Sequence, residues 1–73
     1  MDTLFTTDLI TKGKIETFAV SFQDDKYIFQ ALSGSTQFSI RREDDEWHPI
    51  EDIEEQLKNT ATEKLESYLL SQH

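Results

Sequence analysis

The sequence predicts an α+β fold: a three-stranded antiparallel meander in β-β-β-α order, with one C-terminal amphipathic helix packed on one sheet face. Three features carry that expectation: two alternating apolar stretches joined by a short turn, a third stretch in phase with them, and a long apolar stripe at helical spacing. Residues 18–31 are the centre of it. Read as strand, turn and strand, they pair Phe22 with Tyr27, Val20 with Phe29 and Phe18 with Ala31, and all six side chains share one face. Side chains alternate faces along a strand, so only a connection of even length gives this result. A two-residue loop at Asp24-Asp25 meets the condition, and so does a four-residue loop from Gln23 to Lys26. Asp tolerates the positive φ that tight hairpin turns demand.

The next connection repeats the test. A two-residue loop at Gly34-Ser35, with Gly at the position needing positive φ, sets Ala31 opposite Phe38, Phe29 opposite Ile40 and Tyr27 opposite Arg42. The apolar residues of the third strand fall on the same face, and agreement between two separately placed turns supports both. The strands expected are 14–22, 26–33 and 36–42, a meander over 14–42. On its second face the register places Ile15, Ala19, Ile28 and Leu32 among Thr17, Ser21, Gln30 and Ser39. That is too apolar for a fully wetted surface, so the N-terminal segment or a second copy of the chain is expected to cover it.

Residues 1–13 are poorly defined by pattern. Leu4, Phe5, Leu9 and Ile10 form two apolar pairs that fit neither a clean strand nor a helix. Thr7 could cap one helical turn ending at Gly13, or Lys12-Gly13 could turn a short extra strand that sets Ile10 against Ile15. Both readings stay open.

Residues 43–48 read as an exposed acidic connector, and residues 49–71 as the helix. Pro49 suits a first helical turn, where its missing N–H is no loss, and Glu51, Asp52, Glu54 and Glu55 suit the positive end of the helix dipole. On a helical wheel Ile50, Ile53, Leu57, Ala61, Leu65 and Tyr68 fall within a window of roughly 120°. Residues 59–62 form helix poorly, and Thr60 with Glu63 has the form of a capping box, so a break there is the alternative. The stripe keeps its phase through the stretch, which favours one helix.

Composition bounds the rest. Seventy-three residues make a single small domain, and the absence of cysteine excludes disulfides and thiolate metal sites. No apolar run approaches the length of a membrane span, and the chain reads as soluble and cytoplasmic. Fifteen acidic against seven basic residues leave a net charge of −8, and eight of the acids lie between Glu43 and Glu55 with no Lys or Arg among them. Such a field repels phosphate backbones and anionic lipids, so no direct nucleic-acid or membrane partner is expected.

Nothing points to an enzyme or a cofactor. There is no cysteine nucleophile, only two glycines (Gly13 and Gly34), and two histidines, His48 and His73. If the helix begins at Pro49, His48 shares a face with Glu51 and Asp52, and with Asp44 and Asp45 nearby this suggests a divalent-cation-binding or minor catalytic protein as the alternative function. The simpler reading leaves these acids solvated. Trp47, between the acidic run and the helix, reads as a staple for the first helical turns or as an interaction anchor. The favoured function is a small acidic interaction module that binds a basic protein surface through Glu43, Asp44, Asp45, Glu46, Trp47, Glu51 and Asp52, with mimicry of a phosphate backbone as a special case. A homodimer through the second sheet face or an edge strand is the further partner considered.

Overall fold

Three two-residue turns with left-handed backbone at both central positions organise the chain. They are Lys12-Gly13 (φ 53° and 73°), Asp24-Asp25 (55° and 61°) and Asp44-Asp45 (53° and 64°). Positive φ at both positions defines the type I′ turn, whose twist matches that of the strands it joins. In this computed structural model, which describes residues 3–71, the turns connect β1 (Thr3–Thr11) to β2 (Lys14–Gln23), β2 to β3 (Lys26–Ala31), and β4 (Gln37–Glu43) to β5 (Glu46–Pro49). The helix α1 (Glu55–Ser71) follows. The strands form one antiparallel sheet in chain order. His73 lies outside the described residues.

The sheet therefore has five strands, and the three-stranded meander is overturned at both ends. At the N-terminus the second of the two open readings holds: Lys12-Gly13 turns an added strand with Ile10 opposite Ile15. Residues 3–13 thus extend the sheet and do not lie over its second face. At the other end the acidic connector 43–48 is the tip and return strand of a hairpin, with Arg42 opposite Trp47 and Glu43 opposite Glu46. Pro49 ends β5, on the sheet's edge, where its missing N–H breaks no ladder. The helix begins at Glu55, six residues later than expected.

Between β2 and β3 the register is the one the alternation requires, with Phe18 opposite Ala31, Val20 opposite Phe29 and Phe22 opposite Tyr27. Between β3 and β4 it differs by two residues: Phe29 faces Phe38 and Tyr27 faces Ile40. Gly34-Ser35 is not a two-residue loop, and Gly34 does not take positive φ. The link is longer, closed by Ala31 N donating to Thr36 O (2.9 Å), and Leu32 N donates sideways to Thr17 O (3.0 Å). A slip of two residues leaves every side chain on its own face, so the hydrophobic pattern is blind to it.

One face of the sheet is the core. Leu9, Phe18, Val20, Phe29, Ala31, Phe38 and Ile40 are buried there against Leu57, Ala61 and Leu65 of the helix. Phe29 stacks on Phe38 with ring centroids 4.7 Å apart, and Phe18 meets Phe38 edge-on at 5.6 Å. The helix runs unbroken through 59–62. Thr60 and Thr62 return their hydroxyls to carbonyls within the helix, Thr60 to Gln56 and Leu57 and Thr62 to Asn59, which keeps those groups satisfied in a stretch of weak propensity. No described helix is long and apolar enough to cross a membrane.

Candidate functional site

In an antiparallel meander alternate turns emerge at the same end of the sheet. Asp24-Asp25 and Asp44-Asp45 therefore share one end, while Lys12-Gly13 and the β3–β4 link occupy the other. The helix starts at the second end, where the Glu54 carboxylate accepts a hydrogen bond from Lys12 N (3.0 Å), and finishes at the first, where Leu69 and Leu70 adjoin Arg42. Among the described residues its last turn carries no basic residue, so the negative end of the helix dipole adds to an end already bearing both aspartate turns, Glu43 and Glu46.

Within that end lies an aromatic cluster. Phe22 packs on Tyr27 (4.8 Å), Tyr27 meets Trp47 edge-on (5.9 Å), and the Arg42 guanidinium sits 4.7 Å from the centre of the Trp47 ring. A cation over an aromatic face is attracted by the ring quadrupole. Trp47 Nε1 donates to the Glu66 carboxylate at 3.0 Å and so ties the β4–β5 hairpin to the end of the helix. Besides this bond near the end of the helix, Trp47 shares a cleft with Lys58 and Thr62 of its earlier turns. Two open clefts flank the cluster and share Arg42. One, of about 530 Å³, is lined by Phe22, Asp25, Tyr27, Arg41, Arg42 and Glu43; the other, of about 360 Å³, by Arg42, Glu66, Leu69 and Leu70. Asp45 approaches Arg42 only at 3.9 Å and is almost fully exposed, so this ion pair contributes little.

The structure divides the residues proposed for partner binding. It brings Glu43, Asp44, Asp45, Glu46 and Trp47 together and sends Glu51 elsewhere. The Glu51 carboxylate accepts from Ser39 N (2.9 Å), next to the bond from Ile50 N to Ser39 O, and takes the place of a strand carbonyl where β5 leaves the sheet. Asp52 is exposed in the link that follows and is not part of the acidic end. His48 lies on a strand, opposite Arg41 and 3.6 Å from Glu46, so the helical face it was to share with Glu51 and Asp52 does not exist. Among the described residues no three side chains of His, Cys, Asp or Glu come together as a metal would require.

Asp24, Asp25, Phe22, Tyr27 and Arg42 belong to this end and were not anticipated. A signal for them exists. Phe22-Gln23-Asp24-Asp25-Lys26-Tyr27 and Arg42-Glu43-Asp44-Asp45-Glu46-Trp47 share an Asp-Asp pair followed two residues later by an aromatic, and the repeat marks two equivalent hairpins. No known family model, curated protein or solved structure matches the chain.

Proposed function

We propose that this chain is a protein-interaction module whose acidic end engages a basic surface on another protein. Glu43, Asp44, Asp45 and Glu46 act with Asp24 and Asp25 as the attracting field, and Trp47 with its aromatic neighbours acts as the anchor. The observation that carries the reading is how poorly this end suits folding alone. Four aspartates hold left-handed backbone where Asn-Gly would be less strained, and Glu43 stands directly opposite Glu46, a like-charge pair that destabilises a ladder. Cost retained at one place is a reason to look for function there. Long-range attraction raises the encounter rate, and a desolvated aromatic slows departure. A cysteine-free chain suits a reducing compartment, and we read its location as cytoplasmic.

The test exploits opposite signs. Replacing Asp44→Asn together with Asp45→Gly installs the preferred turn residues and should stabilise the fold by about 1 kcal/mol in thermal denaturation. The same variant should associate more slowly with an immobilised arginine-rich peptide, and with a shallower salt dependence. A variant that is more stable and associates as fast as the parent would reduce this end to a solubilising turn.

A further inference from the structure

The two outer strands of the sheet are not alike. β5 is four residues long, carries Glu46 and ends in Pro49, all of which discourage another strand from pairing with it. β1 is nine residues long, holds a single charge, Asp8, and is hydrogen-bonded on one side only. We infer that β1 is a self-association edge, which pairs antiparallel with β1 of a second copy of this chain about a two-fold axis through Thr7.

Three independent features select that occupant and that register. The first is the order of residues along the strand, which is symmetric about Thr7: Thr6 balances Asp8, Phe5 balances Leu9, Leu4 balances Ile10 and Thr3 balances Thr11. Antiparallel pairing about Thr7 therefore sets apolar against apolar at two positions on each side, and hydroxyl against carboxylate or hydroxyl elsewhere. Moving the axis to Thr6 opposes Asp8 to Leu4, and moving it to Asp8 opposes that carboxylate to its own copy.

The second feature is hydrogen-bond parity. A two-residue hairpin makes the residues flanking its turn a hydrogen-bonded pair, here Thr11 and Lys14, and the pattern then alternates along the ladder. Thr11, Leu9 and Thr7 thus bond inward to β2, while Ile10, Asp8 and Thr6 present their N–H and C=O groups at the free edge. Pairing about Thr7 joins Thr6 to Asp8 of the other copy and Asp8 to its Thr6, which are edge-facing positions; the ladder is irregular between Thr3 and Phe5, so Leu4, and with it the outermost pair with Ile10, stands outside this alternation. An axis falling between two residues would set free groups against groups already bonded.

The third feature is Asp8 itself. Its carboxylate accepts the Thr17 hydroxyl of the neighbouring strand at 2.6 Å, and Thr6 of the other copy would occupy the corresponding place on the opposite side. Asp8 then stands between two threonines. Net charge does not oppose the association. Antiparallel pairing sends the two acidic ends to opposite ends of the joint strand pair, roughly 30 Å apart along a nine-residue strand. That is well beyond a Debye length of about 8 Å at physiological ionic strength. It also sets Lys12 and Lys14 of each copy beside the acidic end of the other.

The test uses the full chain, which has no cysteine to confuse it. Thr7 would face its own copy as a non-hydrogen-bonded pair with Cα atoms about 4.5 Å apart, within disulfide range. Under mild oxidation Thr7→Cys should form a covalent dimer faster than Thr6→Cys, whose cysteines would lie diagonally across the axis. Sedimentation equilibrium should show a concentration-dependent dimer for the parent chain. That dimer should be lost in Thr6→Pro, a change that removes an edge N–H and no bond to β2, so circular dichroism should report an intact fold. A parent chain that is monomeric at all concentrations would overturn the inference, as would equal cross-linking of the two cysteine variants. Loss of the dimer on Ile15→Glu but not on Thr6→Pro would also overturn it and place the contact on the uncovered sheet face.

Discussion

The two faces of the sheet are made from the same strands and have opposite fates. On the helix-covered face every large apolar side chain of the three central strands is buried, apart from Phe22 and Tyr27 at the acidic end. On the other, Ile28 is the one large apolar residue the molecule buries, between Ser21 and Ser39 directly across from it, while Ile15 is 75% and Leu32 61% exposed. Alternation alone assigns residues to a face. Whether a face becomes core depends on what the chain lays over it, and this chain has one helix to spend.

The sharpest way to break the contrast is Phe29→Ala. Phe29 lies on the middle strand, fully buried and stacked on Phe38, and its truncation should cost about 3–5 kcal/mol, much of the stability available to so small a domain. Chemical denaturation measures it, and a midpoint close to the parent's would mean that Phe29 is not at the centre of the core. A smaller effect is expected at the rim of the covered face, where Trp47→Phe keeps an aromatic ring but removes the hydrogen bond to Glu66. About 1 kcal/mol should be lost, and Glu66→Gln combined with it should add little further. Additive losses would show that the two side chains act separately. The smallest effect belongs to the uncovered face: Ile15→Thr should shift stability by no more than about 0.5 kcal/mol, because the side chain is already in water and Thr favours a strand as well as Ile does. A larger loss would mean that this face is covered in solution.

The acidic end and its opposite show a second contrast, in how carboxylates are used. At the helix start Glu51 and Glu54 accept backbone N–H groups and complete the sheet and its first turn. At the acidic end Asp24, Asp25, Asp44 and Glu43 make no described side-chain hydrogen bond or ion pair, although Asp45 and Glu46 approach Arg42 and His48. Proximity in sequence made Glu51 and Asp52 look like members of one surface with Glu43 to Glu46, and the fold separates them along the length of β5.

Two elements are legible from local pattern. The β2–β3 hairpin follows from strict alternation on both sides of a two-residue turn, because parity and a short connection leave little freedom in register. The phase of Leu57, Ala61 and Leu65 follows in the same way from the helical period, and it carries the helix through the unfavourable residues 59–62. Long-range packing settles what local preference leaves open. β1 places Phe5 and Leu9 under the helix and Leu4 and Ile10 on the opposite side, so its apolar residues come as adjacent pairs and no single periodicity reveals it. The β3–β4 register goes with the stacking of Phe29 on Phe38 and the longer loop closed by Ala31 and Thr36, and a slip of two residues leaves the hydrophobic pattern unchanged. Residues 43–49 have the composition of a solvated connector and a helix start. They form a hairpin because Arg42 and Trp47 pair across it and Trp47 is held by Glu66, nineteen residues further along the chain. The hairpin itself is marked locally by the Asp-Asp pair it shares with residues 22–27, whereas the contact of Trp47 with Glu66 has no local periodicity to announce it.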